Sequence, residues 1–411
     1  MNMILEKELI LPCGARLKNR IAKSAMSENM SPISHRPNES IIHVYQRWAN
    51  GGAGLIITGN IMVDNKAIAE PGNILIEDKS DIELLKRWAS AVKNTEAHLW
   101  GQINHPGRQA IGAINKHVVA PSAVKSNIKG MTAMFKKPKS LTETEIYDII
   151  ERFGNTAQIL KEAGFTGIQI HGAHGYLISQ FLSPLSNLRK DQWGGNLKNR
   201  ARFVLEIYKN IRSKVGNSFP IGIKINSADF QRGGFTQDDS MEVVRLLDNA
   251  GIDLIEISGG NYELPVMTGI RKRKSTKERE AYFIDYVEKI RKSLKTPLML
   301  TGGFRTISTM EQSIIDDKLD VIGIARPFTL IPDLPNLIFE NKIKTIDVPT
   351  PRTGIKLLDN SGFVDIKWHE IHIHRLGRGK KPNPTKSPFS VITYAFSLTL
   401  KNILFGKRKK T

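Results

Sequence analysis

Cysteine is almost missing from this sequence: Cys13 is the only one in 411 residues. A single thiol closes no disulfide and supplies no cysteine zinc site or iron–sulfur cluster within one chain. No apolar run is long enough for an ordinary membrane span. The N-terminus is interrupted by Glu6, Lys7 and Glu8, so it does not read as a secretory signal. A reducing cytoplasm is the expected setting. Acidic residues are also scarce, with 40 Asp+Glu against 60 Lys+Arg, a net charge of +20. Such an excess can mark a nucleic-acid partner. Here residues 345–411 carry a large share of it and the rest is spread over many helices. Surface lysine explains that distribution better, and a nucleic-acid partner is disfavoured.

What is present is a regular alternation. Short apolar runs at Ile21–Ala25, Gly54–Thr58, His98–Ile103, Gly167–His171, Ile221–Ile225, Asp253–Ile257, Leu298–Thr301 and Asp320–Gly323 read as strands. Helical patterns fall between most of them, at Asp81–Lys93, Thr142–Ala163, Leu197–Val215, Gln237–Ala250 and Glu278–Leu294. Thr142-x-x-Glu145 has the form of a capping box, and Ala163-Gly164 and Ala250-Gly251 look like helix ends. Eight strands alternating with helices predict an α/β fold, a parallel (β/α)₈ TIM barrel over residues 1–344. An open doubly wound sheet is the alternative, weakened because no Gly-x-Gly-x-x-Gly follows a first strand. Catalytic groups of a barrel belong at the C-terminal ends of its strands. Residues 104–140 form a connection too long for an ordinary loop and are expected to roof the site. Residues 345–411 read as a C-terminal basic appendage. Within it the apolar stretch Pro388–Phe405 and the basic Lys407–Lys410 suggest either an arm on the barrel or weak contact with an anionic membrane surface.

The fourth strand runs directly into His171-Gly-Ala-His174-Gly-Tyr176. Two imidazoles with His-x-x-His spacing suit a metal only if further ligands join them. As neutral donors they could hold one carbonyl, phenolate or nitro oxygen and stabilise charge developing on it. Tyr176 would then be a general acid. An ordinary polar strand end is the third reading, and these residues by themselves do not choose.

The run continues through Leu177-Ile-Ser-Gln-Phe-Leu-Ser-Pro-Leu-Ser-Asn-Leu-Arg-Lys-Asp-Gln-Trp-Gly-Gly-Asn-Leu-Lys-Asn-Arg200. Other pieces appear in order: Leu17-Lys-Asn-Arg-Ile21, Gly52-Ala-Gly-Leu-Ile-Ile57, Gln102-Ile-Asn-His-Pro-Gly-Arg108, Thr301-Gly-Gly-Phe304 and Gly323-Ile-Ala-Arg-Pro327. Together, over about residues 3–340, they resemble the old yellow enzyme family of FMN-dependent ene-reductases. The resemblance implies FMN at the barrel mouth, NADH or NADPH as electron donor, and an enone-like small molecule as substrate. His171 and His174 would activate that substrate and Tyr176 would protonate it. The implied FMN contacts are Ala25, Met26 and Ser27 after the first strand, then Asn60, Gln102 at the pyrimidine edge and Lys224 near N1. Gly303, Phe304, Ala325 and Arg326 would hold the phosphate, the small residues through backbone N–H groups and the arginine through charge.

Three positions depart from the family's usual residues. Lys224 replaces arginine, keeping the charge and losing the planar fork. Asn60 stands where a small residue is common, and Ser27 where threonine or cysteine is. Tyr262 and the basic loop Arg271-Lys-Arg-Lys274 follow the sixth strand on the active face. Larger relatives add a cysteine cluster and a nucleotide-binding domain after the barrel. Neither is read here, so electrons are expected directly from the nicotinamide, in two alternating half-reactions. The alternatives are an FMN barrel acting on RNA uridine, which would want a cysteine acid where Cys13 is poorly placed, and a flavin-binding, membrane-peripheral module. A homo-oligomer is left open.

Overall fold

Each of the eight apolar runs becomes a parallel strand. In the computed structural model, which describes residues 3–128, 131–264, 280–360 and 362–394, they are β1 Ile21–Lys23, β2 Leu55–Met62, β3 His98–Asn104 and β4 Gly167–Gly172, followed by β5 Ile221–Asn226, β6 Leu254–Ser258, β7 Leu298–Thr301 and β8 Val321–Ile324. They hydrogen-bond in sequence order. Pairing of Ile322 with Ile21 and of Ala22 with Leu55 joins the last strand to the first and closes a (β/α)₈ barrel. Strands buried on both faces need no polar alternation, and this is why their sequences are near-continuous apolar runs.

Helices α1 Glu39–Asn50, α2 Ile82–Lys93, α3 Glu143–Glu162, α4 Leu197–Val215, α5 Gln237–Ala250, α6 Ile284–Arg291 and α7 Ile307–Ile315 surround the barrel. The Thr142–Glu145 capping box forms, each side chain accepting from the other's backbone N–H. Helix α6 is shorter at both ends than the expected Glu278–Leu294; the first two expected residues lie outside the described ones. The loop Arg271–Lys274 lies outside them too.

Side chains pointing into the barrel form two unlike layers. Toward the N-terminal end, Ala22, Leu55, Ile57, Trp100, Leu254, Met299 and Val321 make an apolar plug, sealed by Leu11 and Leu17 from the N-terminal hairpin. Trp100 fits because β4 and β5 present glycine to it: a Cβ on Gly167 would lie 2.4 Å from its indole nitrogen, and one on Gly222 2.7 Å from its ring. Cys13 packs beside this plug, and burial pushes its thiol up to about 11. A cysteine acid at the barrel mouth, which an RNA-uridine reading would want, is therefore not available from Cys13.

Toward the C-terminal end the inward layer is polar. Register places Gln102 beside Gln169, His171 beside Lys224, and Lys224 beside Glu256. Gln102 Nε2 donates to Gln169 Oε1 at 2.8 Å, and Gln169 Nε2 donates to Glu256 Oε2 at 2.6 Å. The other Glu256 oxygen accepts from Thr301 at 2.6 Å and pairs with Lys224 Nζ at 3.0 Å. A buried ion pair is stabilising only while both partners stay. Lys224→Met is therefore expected to cost about 3–5 kcal/mol in chemical denaturation by leaving Glu256 uncompensated, and Lys224→Met/Glu256→Gln to recover most of it. An unchanged midpoint in the single variant would show that the pair carries no stability.

Two segments outside the alternation reach the barrel mouth. The connection after β3 holds the paired short strands Val119–Ala120 and Lys139–Ser140, and it touches the site through Arg108 and Gln109. The segment beyond residue 344 contains helix α8, Phe363–Gly377, packed on α1 and the short helix Pro327–Leu330. The expected appendage is thus partly a wall of the barrel mouth. Its side chains Trp368, Ile371 and Val364 form their own small core with Val391. The stretch read as a membrane contact falls mostly on residues 395–411, outside the described ones. Among the described residues no helix is long and apolar enough to cross a membrane.

Candidate active site

A cavity of about 490 Å³ opens at the C-terminal ends of the strands, within the range of small-molecule sites. All the residues expected at a site line it: Ala25, Met26, Ser27, Asn60, Gln102, His171, His174, Tyr176, Lys224, Gly303, Phe304, Ala325 and Arg326. They come from seven strands or the loops after them, and the closed barrel brings them together.

At one end lie the paired imidazoles. His171 ends β4, and its ring centroid is 5.2 Å from that of His174 and 4.9 Å from that of Tyr176, both edge-on. His174 adopts φ 60°, a left-handed conformation costly for a non-glycine residue. Three contacts hold it there. Gln109 Nε2 donates to its carbonyl at 3.1 Å, its N–H donates to Asn226 Oδ1 at 3.3 Å, and Ser258 meets its Nε2 at 2.9 Å. Burial, then His174 and Lys224, holds His171 well below the usual imidazole range; burial and Lys224 hold His174 down at about 3. Both rings are neutral at physiological pH. The Ala173 N–H contacts His171 Nδ1 at 3.4 Å, which favours the proton on Nε2. Around the pair stand Lys224, Ser258 and Tyr176, a poor ligand set for zinc, and among the described residues no group of three or more His, Cys, Asp or Glu could hold a metal.

Tyr176 is 4% exposed, and burial raises its phenol well above the ordinary value, so it holds its proton. Asn60 Nδ2 donates to its oxygen at 3.3 Å. The unusual Asn60 thus anchors the tyrosine.

At the other end the β7 and β8 termini form a backbone cradle. Gly302 and Gly303 have φ 123° and 94°, and a Cβ on Gly303 would sit 2.7 Å from the Tyr282 ring. Phe304 turns its ring into the core, leaving its backbone to the cavity. Arg326 lies here with Arg305, but Arg326 Nη1 already pairs with Asp365 of α8 at 3.0 Å. Two cations, a backbone cradle and the buried Lys224 suit an elongated ligand with an anionic tail and an anionic ring, as FMN is. Two expected contacts are engaged elsewhere. The Gln102 amide nitrogen is committed to Gln169, which leaves its carbonyl oxygen for the cavity. The Ser27 hydroxyl donates to Glu70.

Tyr262, expected on the active face, lines the cavity too. Several other lining residues had not been expected. Ser258 ends β6, and Tyr282 precedes α6. Asp365, His369, Glu370 and Ile373 come from α8. The pattern of strand ends would have found Ser258; nothing local marks the α8 residues as inward-facing.

A parallel barrel with this donor set at its C-terminal mouth defines a flavin-dependent oxidoreductase. Residues 13–344 match the NADH:flavin oxidoreductase / NADH oxidase family, and the chain belongs to that family, that of old yellow enzyme. It is 36% identical over 362 residues to the NADH-dependent flavin oxidoreductase iliE of Hypocrea jecorina, covering 82% of this chain and 90% of that one. It is 37% identical to the NADH-dependent flavin oxidoreductase iccE of Talaromyces variabilis, over 82% and 86%. Among solved structures, a complex of 2-naphthoyl-CoA reductase with 2-naphthoyl-CoA superimposes with a TM-score of 0.77 at 27% identity, over 84% of this chain and 53% of that one. The chain is an FMN enzyme that takes electrons from a nicotinamide donor.

The neutral imidazoles carry a pH consequence. The neutral form exists above the depressed values and gives way to imidazolium only as pH falls toward about 3. Turnover is therefore expected to show no limb at 6.5, the ordinary imidazole value. A limb near 6.5 that disappears when either histidine is replaced would contradict this assignment.

Proposed function

We propose that the protein reduces the C=C bond of α,β-unsaturated carbonyl compounds or similarly activated alkenes, with nicotinamide and alkene occupying one site in turn. FMN, when bound, would supply the hydride chemistry that links the nicotinamide to the alkene β-carbon. Ala25, Met26, Ser27, Asn60, Gln102 and Lys224 would hold the ring end of the cofactor, and Gly303, Phe304, Ala325 and Arg326 its phosphate. His171 and His174 donate hydrogen bonds to the substrate's electron-withdrawing oxygen. Being neutral, they polarise it without surrendering a proton to it. As hydride arrives, charge grows on that oxygen, and preorganised donors in a water-poor site stabilise it most at that moment. Tyr176, on the same strand end, protonates the α-carbon.

The observation that supports this reading best is the grouping itself: two buried neutral imidazoles and a protonated phenol on one strand end, facing the cavity. The name of 2-naphthoyl-CoA reductase adds weight, since the naphthoyl carbonyl is conjugated to an unsaturated ring. Anaerobic incubation with NADH and cyclohexenone tests it. Cyclohexanone should form in step with NADH consumption; NADH consumed only when oxygen is admitted, with no ketone formed, would set the reading aside.

A further inference from the structure

We propose that Glu370, carried by α8, supplies the proton that Tyr176 gives up, passing it through the hydroxyl of Tyr262. This rests on the reading of Tyr176 as the acid.

Tyr176 has a problem as an acid. It is almost fully buried, and the Glu70 carboxylate nearby adds to the cost of its phenolate. Asn60, which donates to its oxygen, holds amide protons that do not transfer. Tyr262 is different. Its ring lies edge-on to Tyr176 at 6.0 Å, and the two hydroxyls interact.

Behind Tyr262 stands a buried cluster assembled from distant parts of the chain. Lys367 Nζ lies 2.8 Å from Glu70 and 2.7 and 2.9 Å from the two oxygens of Glu370. Two carboxylates therefore share one ammonium. With both ionised, the cluster would bury an uncompensated negative charge, so it is expected to retain one proton. Glu370 is the more deeply buried acid, its side chain 1% exposed against 23% for Glu70. Burial accordingly pushes the Glu370 carboxyl up to about 8, while Lys367 and Ser27 help hold Glu70 below the usual range. The groups facing Glu370 are Lys367 on its own helix, Glu70 from the β2–α2 connection, Asn29 after β1, Tyr394 near the C-terminal end of the described chain, and Tyr262 after β6. Both Glu370 and Tyr262 line the cavity, which is polar enough for one water to bridge them.

The step balances without any change of electrons. As the Tyr176 O–H bond breaks and its proton forms a C–H bond at the substrate α-carbon, the Tyr262 proton moves to the Tyr176 oxygen. The Glu370 carboxyl proton then moves to the Tyr262 oxygen across a bridging water. Glu370 ends as a carboxylate beside Lys367 and regains a proton from solvent. No buried tyrosinate accumulates at any point.

The test is single-turnover oxidation of NADH-reduced holoenzyme by cyclohexenone, followed across pH and in H₂O/D₂O mixtures. In the unaltered enzyme the rate should fall as pH rises through about 8, where Glu370 loses its proton. More than one proton should be in flight. Glu370→Gln, and separately Tyr262→Phe, should slow this half-reaction at least tenfold. Both should abolish the limb near 8 and reduce the inventory to one proton, with flavin reduction by NADH unchanged. Glu370→Asp should restore part of the rate and a limb. If Glu370→Gln fails to fold or to hold FMN, Tyr262→Phe, off the helix, carries the test. Wild-type rate and pH profile in the variant tested would overturn the relay. The two readings fail separately: a Tyr176→Phe enzyme at full rate sinks the acid assignment, whereas a slow Tyr176→Phe beside fast Glu370 and Tyr262 variants sinks only the relay.

Discussion

Replacing His171 and His174 together by alanine is expected to leave FMN bound and to slow alkene reduction by about 10²–10³-fold or more. The size follows from what the pair does. A single preorganised oxyanion donor is typically worth about 3–4 kcal/mol, and two donors on one oxygen are not additive. The cofactor should survive because, on the proposed assignment, Gly303 and Arg326 would hold its phosphate end and groups other than the imidazoles its ring end. The fold should survive because the polar layer beneath is satisfied by Gln102, Gln169, Glu256, Thr301 and Lys224 without either ring. Flavin absorbance and cyclohexenone turnover measured on the same sample check both halves. Loss of FMN together with activity would recast the histidines as cofactor supports.

Tyr176→Phe is expected to slow the alkene half-reaction by about 10²–10⁴-fold, the usual worth of a positioned proton donor, and to leave reduction of the flavin by nicotinamide unchanged. The asymmetry is the informative part. Hydride transfer from nicotinamide needs no proton from the protein, whereas saturating a C=C bond does. Removing one oxygen from a buried phenol also frees only the Asn60 amide and the Tyr262 hydroxyl, so the cavity should keep its shape. Stopped-flow measurement of the two half-reactions separates the outcomes. Equal slowing of both would mean that Tyr176 shapes the site without acting as its acid.

Much of the architecture was legible because barrel strands are buried on both faces. The runs 221–223 and 298–300 are then apolar without alternation, and helix signals between such runs leave few topologies. The expected site residues were legible for a related reason. A barrel forces strand ends to one mouth, so residues far apart in sequence, such as Gln102 and Lys224, can be assigned to one place before any geometry is known. What was not legible depends on long-range pairing. Phe363–Gly377 carries Asp365, Lys367, His369 and Glu370 and reads as part of a basic appendage. In the fold Asp365 meets Arg326 and Lys367 meets Glu70, which buries the charges by satisfying them. No local pattern announces a partner some 300 residues away. Ser27 lines the cavity, but its hydroxyl turns to Glu70, a residue in a connection with no motif of its own. The short α6 has a plainer origin: its expected start borrowed charged residues that precede Phe283, where the helix cap forms.

The central claim is that this cavity passes electrons from a nicotinamide to an activated alkene, and one measurement addresses it directly. The holoenzyme is bleached with one equivalent of NADH without oxygen, then mixed with cyclohexenone in a stopped-flow cell. The account expects the flavin absorbance to return at a rate that saturates with enone, with one cyclohexanone formed per flavin. Absorbance that stays bleached until oxygen is admitted would contradict it.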